Sequence, residues 1–177
     1  MSVQVIAEIG INHNADIETA KRLIDVATVA GCHYVKFQKR TPDICVPDDQ
    51  KAVMRDTPWG RMSYLDYRRK MEFGHDDFNC IAKHCRERIG WFASAWDIPS
   101  IEFLEAYKSC AFIKVPSALL TDEAYLRALR YGSKQVIIST GMSTFEMVDR
   151  AVEILGCGKI ACIMHCTSTY PCRTEEL

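Results

Sequence analysis

The chain has 177 residues, 22 Lys and Arg against 23 Asp and Glu, a net charge of −1 and a hydrophobic fraction of 48%. That length and apolar content suit one globular domain, and scattered charges near neutrality leave no electrostatic footprint for nucleic acid or an anionic membrane surface. No apolar run reaches the roughly 18 residues that a membrane span needs, and Glu8 interrupts the first one, which makes a poor signal peptide; the expected location is cytoplasmic.

Six short, β-branched segments follow one another along the chain, at Val3–Ile9, Tyr34–Gln38, Trp91–Ser94, Ala111–Lys114, Gln135–Thr140 and Ile160–His165. The first predicted helix runs from Ile17 to Ala30, with Ile17, Ala20, Ile24 and Ala27 on one face, Asp16 as N-cap and Gly31 as stop. Helices follow near Asp76–Arg88, Ser100–Ser109 and Asp122–Tyr131. A capping box at Ser143 and Glu146 opens another, whose apolar face is Met147, Val148, Ala151, Val152 and Leu155. Strands alternating with helices predict a parallel sheet, and strands with little apolar–polar alternation predict burial on both faces. The fold class is α/β: a TIM-type (β/α) barrel, incomplete, with about six of its eight units. The stretch at about 40–75 breaks the rhythm, with Pro42, Pro47, Pro58, Gly60 and the charged run Tyr67-Arg68-Arg69-Lys70. A long excursion after a strand, on the presumed active face, reads as a lid or binding loop more readily than as a solvated insertion.

Parallel barrels keep their chemistry at the carboxyl ends of their strands. Glu8, Lys36, Ser94, Lys114, Ser139 and His165 all fall there. Lys36 and Lys114 lie between apolar strand residues, in Val35-Lys36-Phe37 and Ile113-Lys114-Val115. A single such lysine most simply snorkels to the surface. Two in matching places, with Ser94 and Ser117 nearby, suit an anion site; a Schiff-base lysine is the other functional reading. Glu8 needs a partner in an apolar strand, and Lys36 on a neighbouring strand is a candidate. Gly10 permits a tight exit turn, and Asn12, His13 and Asn14 form a polar loop able to grip hydroxyls. Ser139-Thr140-Gly141-Met142-Ser143 leads into a helix amino terminus, an arrangement that offers backbone amides to an anion.

The nine cysteines form no C-x-x-C pair and read as buried, reduced thiols. Cys162, His165, Cys166 and Cys172 make a poor zinc set, because Cys162 and His165 point to opposite faces of a strand.

Four segments together resemble the sialic acid synthase family, in the family's order and spacing: Ala7-Glu8-Ile9-Gly10-Ile11-Asn12-His13-Asn14, Val35-Lys36-Phe37-Gln38-Lys39-Arg40, Ser139-Thr140-Gly141-Met142 and His165-Cys166-Thr167-Ser168-Thr169-Tyr170-Pro171. Arg55-Asp56-Thr57-Pro58-Trp59-Gly60 resembles the family's long loop. The resemblance implies a barrel enzyme that joins phosphoenolpyruvate to an N-acylated amino-hexose such as N-acetylmannosamine, giving a nine-carbon 2-keto acid and phosphate. It implies that Lys36, Lys114, Ser94, Ser117 and Ser139 hold phosphoenolpyruvate. Glu8 would contact the sugar or the attacking water, and Asn12, Ser168 and Tyr170 would lie on the substrate side. It also implies a divalent metal, manganese or magnesium, and a homodimer for the full-length protein. The family's metal-binding histidines belong to later segments, and neither His13 nor His165 matches them. The chain departs from the family pattern at Ala15, where glycine is usual, at Ser168, where asparagine is common, and in Ala93-Ser94-Ala95-Trp96-Asp97. It reads as the amino-terminal part of a synthase, residues 1–177 forming a partial barrel domain without the last barrel units and a small carboxy-terminal domain. Exposed strand edges then predict association in solution, and the metal-binding segments lying elsewhere predict little turnover by these residues alone.

Overall fold

In the computed structural model, which describes residues 3–169 and 171–176, the six expected strands form one parallel sheet in the order β1-β2-β5-β6-β7-β8. In chain order the elements are β1 (Ile6–Gly10), α1 (Ile17–Val29), β2 (Tyr34–Lys39), α2 (Pro42–Cys45), α3 (Asp48–Lys51), β3 (Met54–Thr57), β4 (Gly60–Ser63), α4 (Tyr64–Met71), α5 (His75–Cys85), β5 (Gly90–Ala95), α6 (Ile98–Glu105), β6 (Cys110–Val115), α7 (Glu123–Tyr131), β7 (Val136–Ser139), α8 (Phe145–Leu155) and β8 (Ile160–Met164). Within this sheet each strand lies beside the sheet strand that precedes it in the chain, while β3 and β4 pair only with each other. A closed barrel of this kind has eight strands; here β1 and β8 are open edges of a six-stranded sheet. Among the described residues no helix is long and apolar enough to cross a membrane.

Register shows how the sheet divides its side chains. Glu8 pairs with Lys36, Lys36 with Phe92, Ser94 with Lys114 and Lys114 with Ile137. Alternation then puts Val35, Phe37, Trp91, Ala93, Ile113, Val115, Val136 and Ile138 on the opposite, helix-covered face. These pack with Ile24, Phe78, Ile81, Leu104, Leu126, Leu129 and Ile154 in one core. Each fully buried large apolar side chain contributes about 2 kcal/mol. The helices are tied down by their caps. Asp16 accepts from Glu18 N at 3.1 Å and Thr19 N at 3.2 Å, and Asp122 accepts from Tyr125 N at 3.0 Å.

Several expected boundaries shift. β1 starts at Ile6, not Val3; Val3 and Val5 are exposed and have no sheet face to pack on. α6 starts at Ile98, because Asp97 caps it through Ser100 N at 2.7 Å and Pro99 fits the first turn. It ends at Glu105, short of Ser109. α5 ends at Cys85, before Glu87 at φ 61°. The cap of α8 is Thr144, which accepts from Met147 N at 3.4 Å, while Ser143 Oγ donates to Gly141 O instead. The expected buried thiols divide: Cys85 and Cys110 are buried, but Cys80, Cys157, Cys162 and Cys172 are exposed. Cys162, for one, lies on the edge strand β8.

The excursion after β2 is structured, not a bare loop. It holds α2, α3, an antiparallel β3–β4 hairpin turning at Pro58-Trp59, and α4. Two buried carboxylates pin it to the strand ends. Glu72, just past α4, lies 3.3 Å from Arg40 Nε and 3.8 Å from Lys39 Nζ. Asp97 accepts from Thr41 N, from Thr41 Oγ1 at 3.1 Å and from Cys45 Sγ at 3.1 Å. The unit is therefore a cap fixed over the carboxyl ends of β2 and β5.

Candidate functional site

The inner face of the sheet is layered. Tyr34, Phe92 and Phe112, two residues before Lys36, Ser94 and Lys114 on their strands, form an aromatic floor. Their rings meet edge to face at 5.9 Å (Tyr34–Phe92), 5.6 Å (Tyr34–Phe112) and 5.8 Å (Phe92–Phe112). The next layer towards the carboxyl ends is polar. A period-2 pattern, aromatic then polar on successive inward positions, carries this signal in the sequence, and the reading above missed it.

Lys36 is 8% exposed yet fully partnered on two sides. Its Nζ lies 2.6 Å from Glu8 Oε2 and donates to Ser94 Oγ at 3.1 Å. The sequence expectation of a Glu8–Lys36 pair is met, and the register that aligns them is direct. Glu8 itself is half-exposed at the open edge, with 49% of its side chain accessible. Gly10, at φ 56°, curls the chain around this carboxylate; a Cβ there would lie 2.9 Å from Glu8 Oε1 and 3.4 Å from Gln38 Nε2.

Lys114 is the register neighbour of Ser94 on the same face and, among the described residues, has no ion-pair or hydrogen-bond partner. Burial pushes it down to about 8, and the nearby Lys36 charge adds to that, against smaller opposing effects of Cys166 and Glu8. Two cations thus share one trough, one neutralised by Glu8 and one not. Beside them, Ser139 Oγ is buried without a partner, on the last residue of β7. Ser117 Oγ accepts from Gly141 N at 3.0 Å. Ser168 Oγ sits against Gly141 so closely that a Cβ at that glycine would collide with it. The backbone between β7 and α8 is thereby held by hydroxyls on both sides, and Met142 takes φ 60° to make the turn.

Asn12 is exposed on the rim after β1, and among the described residues its side chain makes no hydrogen bond. His13 does not grip substrate-facing space. It is 3% exposed, stacks on Phe73 at 3.9 Å and accepts from Ala15 N through Nδ1. Burial pushes its imidazole down to about 4, so it is neutral. The polar run hid a core histidine, because the partner, Phe73, is 60 residues away in the chain. His165 is exposed just past β8. Tyr170 lies outside the described residues. Gln38 and Arg40 also belong to the rim: Arg40 Nη2 donates to Gln38 Oε1, and the guanidinium lies 4.6 Å from the Trp96 ring centre. Among the described residues no three His, Cys, Asp or Glu side chains gather in a metal-binding arrangement, so these residues do not fit the expected divalent ion by themselves.

The fold and the site are those of a parallel β/α protein that gathers lysines and hydroxyls at its strand ends. A family model described as the NeuB family matches residues 23–177, and the chain belongs to that family. It is 38% identical over 177 residues to N-acetylneuraminate-9-phosphate synthase of Drosophila melanogaster, covering 96% of this chain and 46% of that protein. It is 31% identical over 183 residues to N,N'-diacetyllegionaminic acid synthase of Campylobacter jejuni, covering 98% and 54%. The fold matches the crystal structure of an N-acetylneuraminic acid (sialic acid) synthetase from Leptospira borgpetersenii in complex with citrate, with a TM-score of 0.85 and 25% identity over 99% of this chain and 58% of that one. The chain spans about half the length of the curated relatives it matches.

Proposed function

We propose that this chain is the phosphoenolpyruvate-holding part of a sialic-acid-type synthase, a transferase that joins phosphoenolpyruvate to an N-acylated amino-hexose such as N-acetylmannosamine. The observation that carries the reading is the trough in which Lys36 and Lys114 lie on one face around Ser94, with Glu8 neutralising only the first. An unpaired, partly desolvated ammonium is costly to keep charged, and a small polyanion would repay that cost. Ser94, Ser117 and Ser139 would orient it as hydroxyl donors; the partnerless Ser139 Oγ is suited to that. In the reaction, C3 of phosphoenolpyruvate bonds to the sugar aldehyde carbon, water adds at C2, and the resulting intermediate expels phosphate. Glu8, beside Lys36 and reachable from solvent, is placed to hold that water or a sugar hydroxyl. Asn12, Ser168 and Tyr170 would contact the sugar. The divalent metal, the homodimer, the cytoplasmic location, the remaining barrel units and the small carboxy-terminal domain belong to this proposal as properties of the full-length protein.

The test is titration of the chain with phosphoenolpyruvate, followed by calorimetry and by phosphorus NMR. Loss of a charge-assisted contact is worth about 2 kcal/mol or more, so Lys114→Met should weaken binding at least about 30-fold. Equal affinity for parent and variant, or no binding by the parent, would remove the reading. Phosphate release with N-acetylmannosamine should be negligible for these residues alone.

A second reading is favoured by one observation, the depressed Lys114: a Schiff-base lysine needs its neutral amine. Borohydride trapping with pyruvate separates the two. A covalent adduct at Lys114 supports the Schiff base, and an unmodified chain supports the anion site.

A further inference from the structure

We propose that Glu72 is a positioning residue for the strand-end site: from the cap it clamps Arg40, and Arg40 fixes the side-chain amide of Gln38 beside the Glu8 carboxylate. The inference deepens the site reading above and rests on it. The chain of contacts is continuous. Glu72 Oε2 accepts from Arg40 N at 3.2 Å, and Glu72 Oε1 lies 3.3 Å from Arg40 Nε as an ion pair without hydrogen-bond geometry. The guanidinium is further confined by the Trp96 ring at 4.6 Å. Its Nη2 donates to Gln38 Oε1.

The chemistry of that last contact gives the relay a direction. A guanidinium only donates hydrogen bonds, so Gln38 must turn its carbonyl oxygen to Arg40. Its NH2 group is then forced to the other side, towards Gly10 and Glu8. Nε2 of Gln38 and Oε1 of Glu8 lie about the same Gly10 Cα, each within contact distance of where a Cβ would stand. Glycine at position 10 leaves that space open. The Gln38 amide group is thereby turned to the Gly10 side of the chain, where Glu8 Oε1, the carboxylate oxygen not paired with Lys36, also lies.

Glu72 is suited to anchor the relay because its own position is strongly determined. Its side chain is 9% exposed, and Lys39 and Arg40 approach from β2. Lys39 is held in turn by Phe73 O at 2.8 Å and by the Phe103 ring at 4.7 Å. Burial pushes Glu72 up to about 7 in spite of both cations, which marks how far the carboxylate has been withdrawn from water.

The experiment reads the Gln38 side-chain amide directly, by nitrogen–proton NMR of the whole chain, with Gln38→Glu used for assignment. In the parent the two Gln38 amide protons should be well separated in shift and slow to exchange. In Glu72→Gln and in Arg40→Met they should move towards free-amide positions and exchange at least tenfold faster. Arg40→Lys, which keeps a donor-only group, should restore the separation in part. Superimposable Gln38 signals in parent, Glu72→Gln and Arg40→Met would overturn the proposal, as would an unperturbed Gln38 in a variant whose dispersed spectrum proves it folded. Absence of phosphoenolpyruvate binding in the parent would remove the site reading without touching this readout, so the two failures are distinguishable.

Discussion

Replacing Lys114 by methionine should stabilise this protein while weakening its anion binding at least about 30-fold. The substitution keeps an unbranched side chain, one heavy atom shorter, and removes the charge. The displacement of Lys114 from an ordinary lysine value of 10.5 to about 8 corresponds to about 3 kcal/mol of unfavourable charging, an upper bound because the group is partly reachable by water. The penalty acts fully below pH 8, where the lysine is charged in both folded and unfolded chains. Between pH 8 and 10.5 the folded chain releases the proton that the unfolded chain still holds, so the parent gains stability as pH rises. The methionine variant has no such gain. Thermal or urea unfolding at pH 7 should therefore favour the variant by up to about 3 kcal/mol, or about 6–10 °C in Tm for a chain of this size. By pH 9.5 the gap should have narrowed by more than half. Phosphoenolpyruvate should raise the parent's Tm at pH 7 more than the variant's. A variant less stable than the parent at pH 7, or a gap indifferent to pH, would show that Lys114 is not an uncompensated buried charge and would sink the electrostatic account of the trough.

Glu8→Gln removes the negative charge from the trough, so phosphoenolpyruvate should bind severalfold tighter while the chain loses about 1–2 kcal/mol, because Lys36 keeps its burial without its partner; calorimetry and urea unfolding read the two effects. Ala15 stands at φ 58° directly after Asn14 at φ 49°, and Ala15→Gly should add about 0.5–1 kcal/mol in equilibrium unfolding, the relief of left-handed strain less the added chain entropy. Gly141→Ala drives a methyl into Ser168 Oγ and to 2.9 Å from Ser117 Oγ, so phosphoenolpyruvate affinity should fall at least tenfold; an unchanged titration would mean that this turn does not border the ligand. The open edge at β8 leaves Ile163 47% exposed, and Ile163→Lys should shift the chain towards monomer in gel filtration at matched concentration.

The elements of the barrel were legible because their signals are local. Strand composition, helix periodicity and the Asp16 cap depend on neighbours a few residues away. The cap over the strand ends was legible only as a break in rhythm. Its α2, α3, hairpin and α4 are short, and what holds them is tertiary: Glu72 on Arg40 and Asp97 on Thr41. His13 was misread for the same reason, since a histidine in a polar run looks solvent-facing until Phe73 is folded over it.

The sequence alone determined that Lys36, Ser94, Lys114 and Ser139 would sit at strand ends, because alternation and β/α order assign each side chain to a face and an end without knowledge of its neighbours. It also placed Glu8 within reach of Lys36. Only the tertiary structure decided how their charges balance: that Glu8 neutralises Lys36 and leaves Lys114 alone above an aromatic floor. Charge pairing and desolvation depend on distances between groups many residues apart, which no local pattern encodes.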